Sequence, residues 1–152
     1  MIRALILGGF LALALSAQAA AADDAILGGA VTTPVTLSGA LLGTLPQSEV
    51  SATFETSKGS ESGHYRGVLL WTLVERAGLL PLPGKNGALR RTLLVTGRDG
   101  YAAALALGEV DPHYEGKAVL LVPDGTGGIN LLVPGDRHGG RNVRDIVRID
   151  VR

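Results

Sequence analysis

Polar side chains able to bind a ligand concentrate on two glycine-rich stretches, each just beyond an apolar run. Each stretch combines an arginine, an aspartate and either a tyrosine or a histidine: Arg98, Asp99 and Tyr101 in the first, and Asp136, His138, Gly139, Gly140 and Arg141 in the second. Because rigid strands position the side chains of the loops that follow them, this placement is typical of a ligand site. The same charges are also compatible with surface ion pairs worth at most about 1 kcal/mol. The residues alone leave both interpretations open.

Other chemistries lack the residues they need. The turn Asp124–Gly128 is not followed by the lysine and hydroxyl of a phosphate-binding loop. The sequence also has no Gly-x-Ser-x-Gly nucleophile elbow. The three histidines are far apart in sequence, without the close spacing of metal ligands. The segment Asp111–Glu115 could contribute to a metal site assembled in three dimensions, but a polar turn is the simpler interpretation, and we expect no metal site.

The first residues have the pattern of a secretory signal peptide. Arg3 precedes the apolar run Ala4–Leu15, and an Ala-x-Ala cleavage pattern follows at Ala17–Ala19. The apolar run of twelve residues is shorter than the roughly 20 that span a bilayer. We therefore predict a signal peptide at residues 1–22 and a domain at residues 23–152. The predicted location is the periplasm, with the protein not embedded in the membrane after cleavage.

Composition limits the remaining possibilities. The sequence contains no cysteine, so it has no disulfide framework. The roughly 130 residues after the leader are the usual size of one domain. Basic and acidic residues balance at 14 each, whereas nucleic-acid binding needs a concentrated basic surface. We expect no nucleic-acid partner.

The polar stretches must be positioned by strands, because most periodic segments predict them. Short runs rich in Val, Leu and Thr lie between turn signals and are predicted as strands: Val31–Leu37, Glu49–Phe54, Thr92–Thr96, Ala118–Val122, Ile129–Val133 and Val143–Val151. Within the last of them, Ile146–Val147 breaks the alternation and predicts a bulge. Val68–Ala77 has a helical period and precedes Gly78, where a C-cap would fall. Pro81–Gly87 is predicted as a surface loop. The predicted fold class is α+β, mostly β, one domain with one or two short helices.

Three motifs, in order, resemble the molybdopterin-binding domain of the sulfite oxidase family. They are Tyr65-x-Gly67-Val68 leading into a helix that ends at Ala77-Gly78-Leu79, then Asp99-Gly100-Tyr101, and then Val133-Pro134-Gly135 followed by Arg141-x-Val143-Arg144. The resemblance extends from about Val35 to Val151. It implies the sulfite-oxidase-type fold and a cleft shaped for a pterin.

The resemblance also places the family's metal ligand, a cysteine thiolate, within the stretch Phe54–Ser60, which holds no thiol here. Serine and threonine hydroxyls do not replace a soft thiolate at neutral pH. We therefore expect pterin as a ligand without molybdenum, and no redox catalysis. The chain is similar to small periplasmic pterin-binding proteins that signal to the periplasmic sensor domain of a membrane-bound cyclic-di-GMP enzyme. The resemblance implies that partner for this protein too.

A pterin offers hydrogen-bond donors at its amino group and N3, acceptors at O4 and N5, and a flat ring. Candidates to accept are Asp136 and Asp99, candidates to donate are Arg141 and Arg98, and candidates to stack are Tyr65 and Tyr101. Trp71 is either a further stacking residue or a core residue of the helix. Gly139 and Gly140 would let the backbone approach the ligand, or form a turn. The alternatives to a pterin sensor are a molybdopterin-dependent oxidoreductase without a thiolate and a ligand-free protein-interaction module.

Overall fold

The computed structural model describes residues 24–152, and the predicted signal peptide lies outside the described residues. In chain order the elements are β1 (Ala25–Gly29), β2 (Val35–Leu37), α1 (Gly39–Thr44), β3 (Ser48–Thr56), β4 (Gly59–Leu69), α2 (Leu70–Ala77), β5 (Thr92–Gly97), β6 (Ala102–Ala106), α3 (Leu107–Val110), β7 (Leu120–Pro123), β8 (Ile129–Leu132) and β9 (Ile146–Val151). Short 3₁₀ turns add Gly87–Arg90 and Gly139–Arg141. No helix of this part of the chain is long and apolar enough to cross a bilayer.

The first sheet has five strands in the order β2-β1-β9-β5-β6. β9 lies in its centre, parallel to β1 and antiparallel to β5. The pairing of β9 with β5 skips Val147, because Arg148 lies opposite Thr96 while Ile146 lies opposite Gly97. The bulge predicted at Ile146–Val147 is therefore confirmed.

The second sheet has four strands in the order β3-β4-β7-β8, all antiparallel. β3 and β4 form a long hairpin, but only Val68 and Leu69 of β4 pair with β7. Gly67 lies just before that junction, and a side chain there would overlap the Leu121 carbonyl of β7. The glycine of the Tyr-x-Gly-Val motif thus permits two strands to approach each other closely.

One hydrophobic core joins both sheets to α2. It contains Leu27, Val95 and Ile149 from the first sheet, and Leu121 and Leu131 from the second. α2 adds Leu70, Leu73, Val74 and Ala77, and Trp71 packs against the same cluster while remaining partly exposed. A smaller cluster covers the inner face of the hairpin: Ala52, Phe54, Leu120 and Leu132, with Tyr65 packed against it.

The predicted fold class, α+β and mostly β, is confirmed. The C-cap at Gly78, which has a φ of 68°, is also confirmed. The predicted surface loop Pro81–Gly87 is exposed up to Asn86, whereas Gly87 is buried and begins a 3₁₀ turn. The described residues form three α-helices, one more than the upper number predicted. The predicted helix start at Val68 is wrong, because Val68 and Leu69 complete β4 and α2 begins at Leu70.

Two predicted strand boundaries are wrong for identifiable reasons. Only Val35–Leu37 of the segment Val31–Leu37 is a regular strand. The backbone N–H groups of Thr32 and Thr33 instead donate to carbonyls at the end of α2. The last strand begins at Ile146 rather than Val143, because Asp145 has a φ of 45° and interrupts the extended chain.

Candidate ligand-binding site

A cleft of about 360 Å³ lies between the inner face of the β3–β4 hairpin, β7 and β8, and the segment after the second glycine-rich stretch. We call it the hairpin cleft. Its lining residues are Phe54, Thr56, Glu61, Tyr65, Val122, Asn130, Leu131, Leu132, Gly139, Asn142 and Arg144. Ligand pockets in proteins occupy about 300–1,000 Å³, so the cleft can hold one small ring system.

The floor of the hairpin cleft is apolar and aromatic, because alternate residues of an antiparallel hairpin share one face. The register places Phe54 opposite Glu61, and Ala52 opposite Gly63. Tyr65 lies back over Gly63, so that a Cβ atom added to Gly63 would stand 2.8 Å from the Tyr65 hydroxyl and 2.9 Å from its ring. The lack of a side chain at Gly63 therefore sets the position of the Tyr65 ring.

The rim of the hairpin cleft carries one carboxylate and one guanidinium that form no ion pair within residues 24–152. Glu61 and Arg144 are both exposed, and neither takes part in an ion pair within residues 24–152. The Thr56 hydroxyl donates a long hydrogen bond of 3.5 Å to Glu61 Oε1. Both charges are therefore available to a ligand.

Two asparagines hold the rear wall through their side-chain oxygens. Asn142 Oδ1 accepts a hydrogen bond of 2.8 Å from the backbone N–H of Val133, and Asn130 Oδ1 accepts one of 2.9 Å from that of Asp145. These bonds fix the orientation of both amides. The N–H₂ group of each amide is then the remaining donor along the cleft wall.

Asp136 and Arg141, the pair singled out from the second glycine-rich stretch, bind each other. Arg141 Nε and Nη2 donate to the two oxygens of Asp136 at 2.7 and 2.6 Å, and Nη1 donates to Glu109 of α3 at 2.9 and 3.1 Å. Lys117 Nζ lies 3.2 Å from Glu109 Oε2, an oxygen that also accepts from Arg141. This network, which we call the Arg141 network, joins the turn Gly139–Arg141 to α3.

The Arg141 network changes the ionisation of its members. Hydrogen bonds from Arg141 lower the pKa of Asp136, and hydrogen bonds to Asp136 raise the pKa of Arg141 further above its usual value. Burial alone would raise the pKa of Glu109, but hydrogen bonds from the Ala106 N–H, Arg141 and Lys117 outweigh burial and lower it. All these groups are charged at neutral pH and stabilise one another.

The first glycine-rich stretch forms a turn outside the cleft lining. Arg98 pairs with Asp145 at 2.7 Å, and both side chains are more than 40% exposed, at 44% and 43%. Asp99 accepts a hydrogen bond from the Tyr101 N–H at 2.9 Å. The Tyr101 hydroxyl donates to the Gly140 carbonyl. This last bond brings the two predicted stretches into contact.

The remaining predicted residues lie at the edge of the hairpin. His138 Nδ1 is 3.1 Å from the Glu55 carbonyl, and Glu55 and His138 form a short parallel bridge. Gly139 lines the cleft, where an added Cβ would approach Phe54 Cγ at 3.9 Å. Of the predicted ligand residues, the structure therefore brings Tyr65 and Gly139 to the cleft itself.

The sequence interpretation did not include several lining residues: Thr56, Glu61, Asn130, Asn142 and Arg144. Arg144 stood in the third motif without a role. Glu61 could have been found by treating Phe54–Leu69 as one hairpin, because period-two alternation then places Glu61 and Tyr65 on the same face.

The donor set of the hairpin cleft does not fit a molybdenum centre of the kind the resemblance implies. Phe54 and Thr56, from the stretch matched to the family's thiolate, line the cleft, but they offer no sulfur. Each histidine contacts a different neighbour through Nδ1: Ser51 for His64, Asp111 for His113, and Glu55 for His138. Among residues 24–152, no group of three or more His, Cys, Asp or Glu could hold a metal ion.

The chain shares its α+β fold with a solved structure of another protein. The solved structure that carries this comparison is the crystal structure of the sulfane dehydrogenase SoxCD from Paracoccus pantotrophus. The two chains are 18% identical with a TM-score of 0.66, over 84% of this chain and 37% of the other. The chain thus spans little more than a third of that protein, and the likeness shows the fold alone. The sequence of this chain matches no protein-family model and no curated protein.

Proposed function

We propose that this protein binds a pterin in the hairpin cleft and uses it as a signal rather than as a redox cofactor. The observation that carries the proposal is the pairing of an aromatic floor with two unneutralised charges, Glu61 and Arg144, in one cleft of suitable size. A flat ring with donors on one edge and acceptors on another matches that arrangement.

Each part of the pterin finds a chemical partner there. The Glu61 carboxylate can accept from the 2-amino group and N3, and Arg144 can donate to O4 or N5. Tyr65 can cover the ring. One stack contributes roughly 1–3 kcal/mol and each charge-assisted hydrogen bond roughly 1.5–3 kcal/mol. Association costs oppose these terms, and a micromolar complex needs about 8 kcal/mol, so we expect micromolar or weaker affinity.

We assign the polar edges to Glu61 and Arg144, and a supporting role to Asp136 and Arg141. The hydrogen-bonding groups of Asp136 and Arg141 are already occupied by each other and by Glu109. Breaking a bidentate pair to bind a ligand would leave one charged group poorly solvated, which is costly. The Arg141 network instead holds the turn that carries Gly139 into the cleft.

Without a thiol in the chain, the cleft lacks the soft ligand that holds the metal in the family, which supports binding without molybdenum chemistry. The resemblance of the sequence supports the finer part of the proposal: an exported sensor that signals to the periplasmic domain of a membrane-bound cyclic-di-GMP enzyme. Cellular cyclic-di-GMP, measured in a strain that lacks the protein and is complemented by wild type or Arg144→Ala, tests that step. Equal levels with both forms would contradict it.

Fluorescence titration with neopterin tests the binding site directly. We expect saturable binding by wild type and a loss of about ten-fold or more for Arg144→Ala and Glu61→Gln, because each removes one charge-assisted bond. Arg148→Ala is the matched control, since Arg148 is an exposed arginine on β9 that pairs with Asp150. Absence of binding by folded wild type would refute the proposal in favour of a ligand-free interaction module.

A further inference from the structure

The loop between α2 and β5 exposes three large apolar side chains. Leu80, Leu82 and Leu89 are 44%, 36% and 39% exposed. We call residues 80–91 the leucine loop. Single exposed leucines are common on protein surfaces, but several on one loop indicate an interaction surface.

The leucine loop is held in a defined shape. The guanidinium of Arg91 donates to the Leu80 carbonyl and that of Arg90 to the Pro83 carbonyl, both at 2.5 Å. The Leu80 N–H donates to the Ala30 carbonyl at 3.1 Å, which ties the loop to the first sheet. The leucines are therefore held at the surface by backbone contacts instead of folding back onto the core.

The charged residues of the leucine loop itself are all basic. Residues 80–91 include no acidic residue and three basic ones, Lys85, Arg90 and Arg91. None of these three cations lies within 4.0 Å of a carboxylate in the part of the chain that the structure describes. Arg91 is only 4% exposed, so solvent and salt screen its charge less than that of a surface cation.

We propose that the leucine loop docks on an anionic lipid surface, with its leucines at the acyl boundary and the exposed cations Lys85 and Arg90 at the headgroups. Cations beside aliphatic side chains are the composition of interfacial membrane-binding segments. A protein partner is less well matched, because protein interfaces favour aromatic anchors and are depleted in lysine. The loop contains no aromatic residue.

This docking does not depend on the pterin. The chain as a whole has a formal net charge of zero, so attraction to an anionic surface must come from a local patch. Each cation near such a surface strengthens binding about five-fold. Association should therefore be reversible and should weaken as salt rises.

The experiment uses the natural gene product, expressed with its own first residues and purified after processing, with its mass determined. Sedimentation with vesicles of equal parts phosphatidylglycerol and phosphatidylcholine is compared with pure phosphatidylcholine vesicles at low salt. We expect Lys85→Glu and Leu82→Ser each to weaken binding to the anionic vesicles at least five-fold. The matched controls are Lys58→Glu, at the turn of the β3–β4 hairpin, and Ile26→Ser, since Ile26 is 41% exposed on β1. They should bind as wild type does.

Several outcomes would overturn the proposal. Equal sedimentation of wild type with both vesicle types would do so, as would equal weakening by Lys58→Glu and Lys85→Glu. Binding to polyglutamate at concentrations where anionic vesicles fail to sediment the protein would instead point to an acidic protein partner. Circular dichroism and thermal melts confirm that each variant is folded before its binding is compared.

Discussion

Replacing Gly63 by alanine should separate the stability of the hairpin from its affinity for a pterin. The added methyl would occupy the space of the Tyr65 ring, whose atoms stand 2.8–2.9 Å from the ideal Cβ position. Those atoms belong to the outer part of a side chain, which can rotate away without moving the backbone. The ladder with Ala52 on β3 is therefore preserved.

Gly63→Ala should have opposite effects on folding stability and on affinity for neopterin. Gly63 does not have a positive φ, and alanine in a strand gains roughly 0.5–1 kcal/mol over glycine through lower backbone entropy in the unfolded state. Displacing the ring removes a stacking contact worth roughly 1–3 kcal/mol. We therefore expect stability within about 1 kcal/mol of wild type, and a dissociation constant for neopterin raised about 5- to 150-fold.

Two titrations measure the effect: chemical denaturation for stability, and neopterin fluorescence for affinity. Gly43→Ala is the matched control, because Gly43 lies in α1 and has no atom within 4 Å of an added Cβ. It should leave affinity unchanged. Tyr65→Ala should lose at least as much affinity as Gly63→Ala. Wild-type affinity in either Gly63→Ala or Tyr65→Ala would refute the assignment of Tyr65 as the stacking residue.

Three further changes test the framework around the cleft. Gly67→Ala should cost about 3 kcal/mol in urea denaturation, because the new Cβ overlaps the Leu121 carbonyl, which belongs to the backbone and cannot rotate away. Arg141→Ala should cost about 2 kcal/mol by the same assay, since it leaves Asp136 without its cation and Glu109 with Lys117 alone. Glu109 and Asp136 both have lowered pKa values in the folded protein, so the unfolded chain binds more protons than the folded one in acid. The free energy of unfolding should therefore be constant above about pH 5. It should fall as the pH drops below 4.5 and then 3.8, the ordinary pKa values of Glu109 and Asp136. A flat profile through that window in acid denaturation would contradict the ionic role of the network, and Arg141→Ala should reduce the slope.

Much of the fold follows from local pattern. β5, β7 and β8 are short apolar runs between glycine-rich turns, and both their existence and their positions were predicted within two residues. The bulge in β9 was visible because two adjacent apolar residues, Ile146 and Val147, break an otherwise regular alternation. In each case one or two neighbouring residues carry the information.

β4 was missed because its sequence does not look like a buried strand. Most of it pairs only with β3 and has an exposed outer face, so it is rich in serine, glycine and charged residues. Its strand conformation depends on the register with β3, and that register is a relation between two segments rather than a property of either.

The candidate site shows the same limit. The sequence points to Asp136 and Arg141 because of their residue types and their glycine-rich setting. It does not show that the two side chains form hydrogen bonds with each other. Glu61 and Arg144 are more than 80 residues apart and meet only because β4, β8 and the segment before β9 surround one cleft. Whether a charge is neutralised or available is decided by tertiary packing, which spacing along the chain does not encode.

The central position of β9 has a consequence for how the molecule is made. β1 pairs with β9 across 116 residues of intervening chain, residues 30–145, and β5 pairs with the other edge of the same strand. Until residues Ile146–Val151 have been synthesised, β1 can pair only with β2 and β5 only with β6, so the five-stranded sheet cannot assemble. Long-range pairing of this kind is slow. A chain exported while still unfolded would therefore keep its first sheet open until the last strand arrives, which is the state that passage through a secretion channel requires.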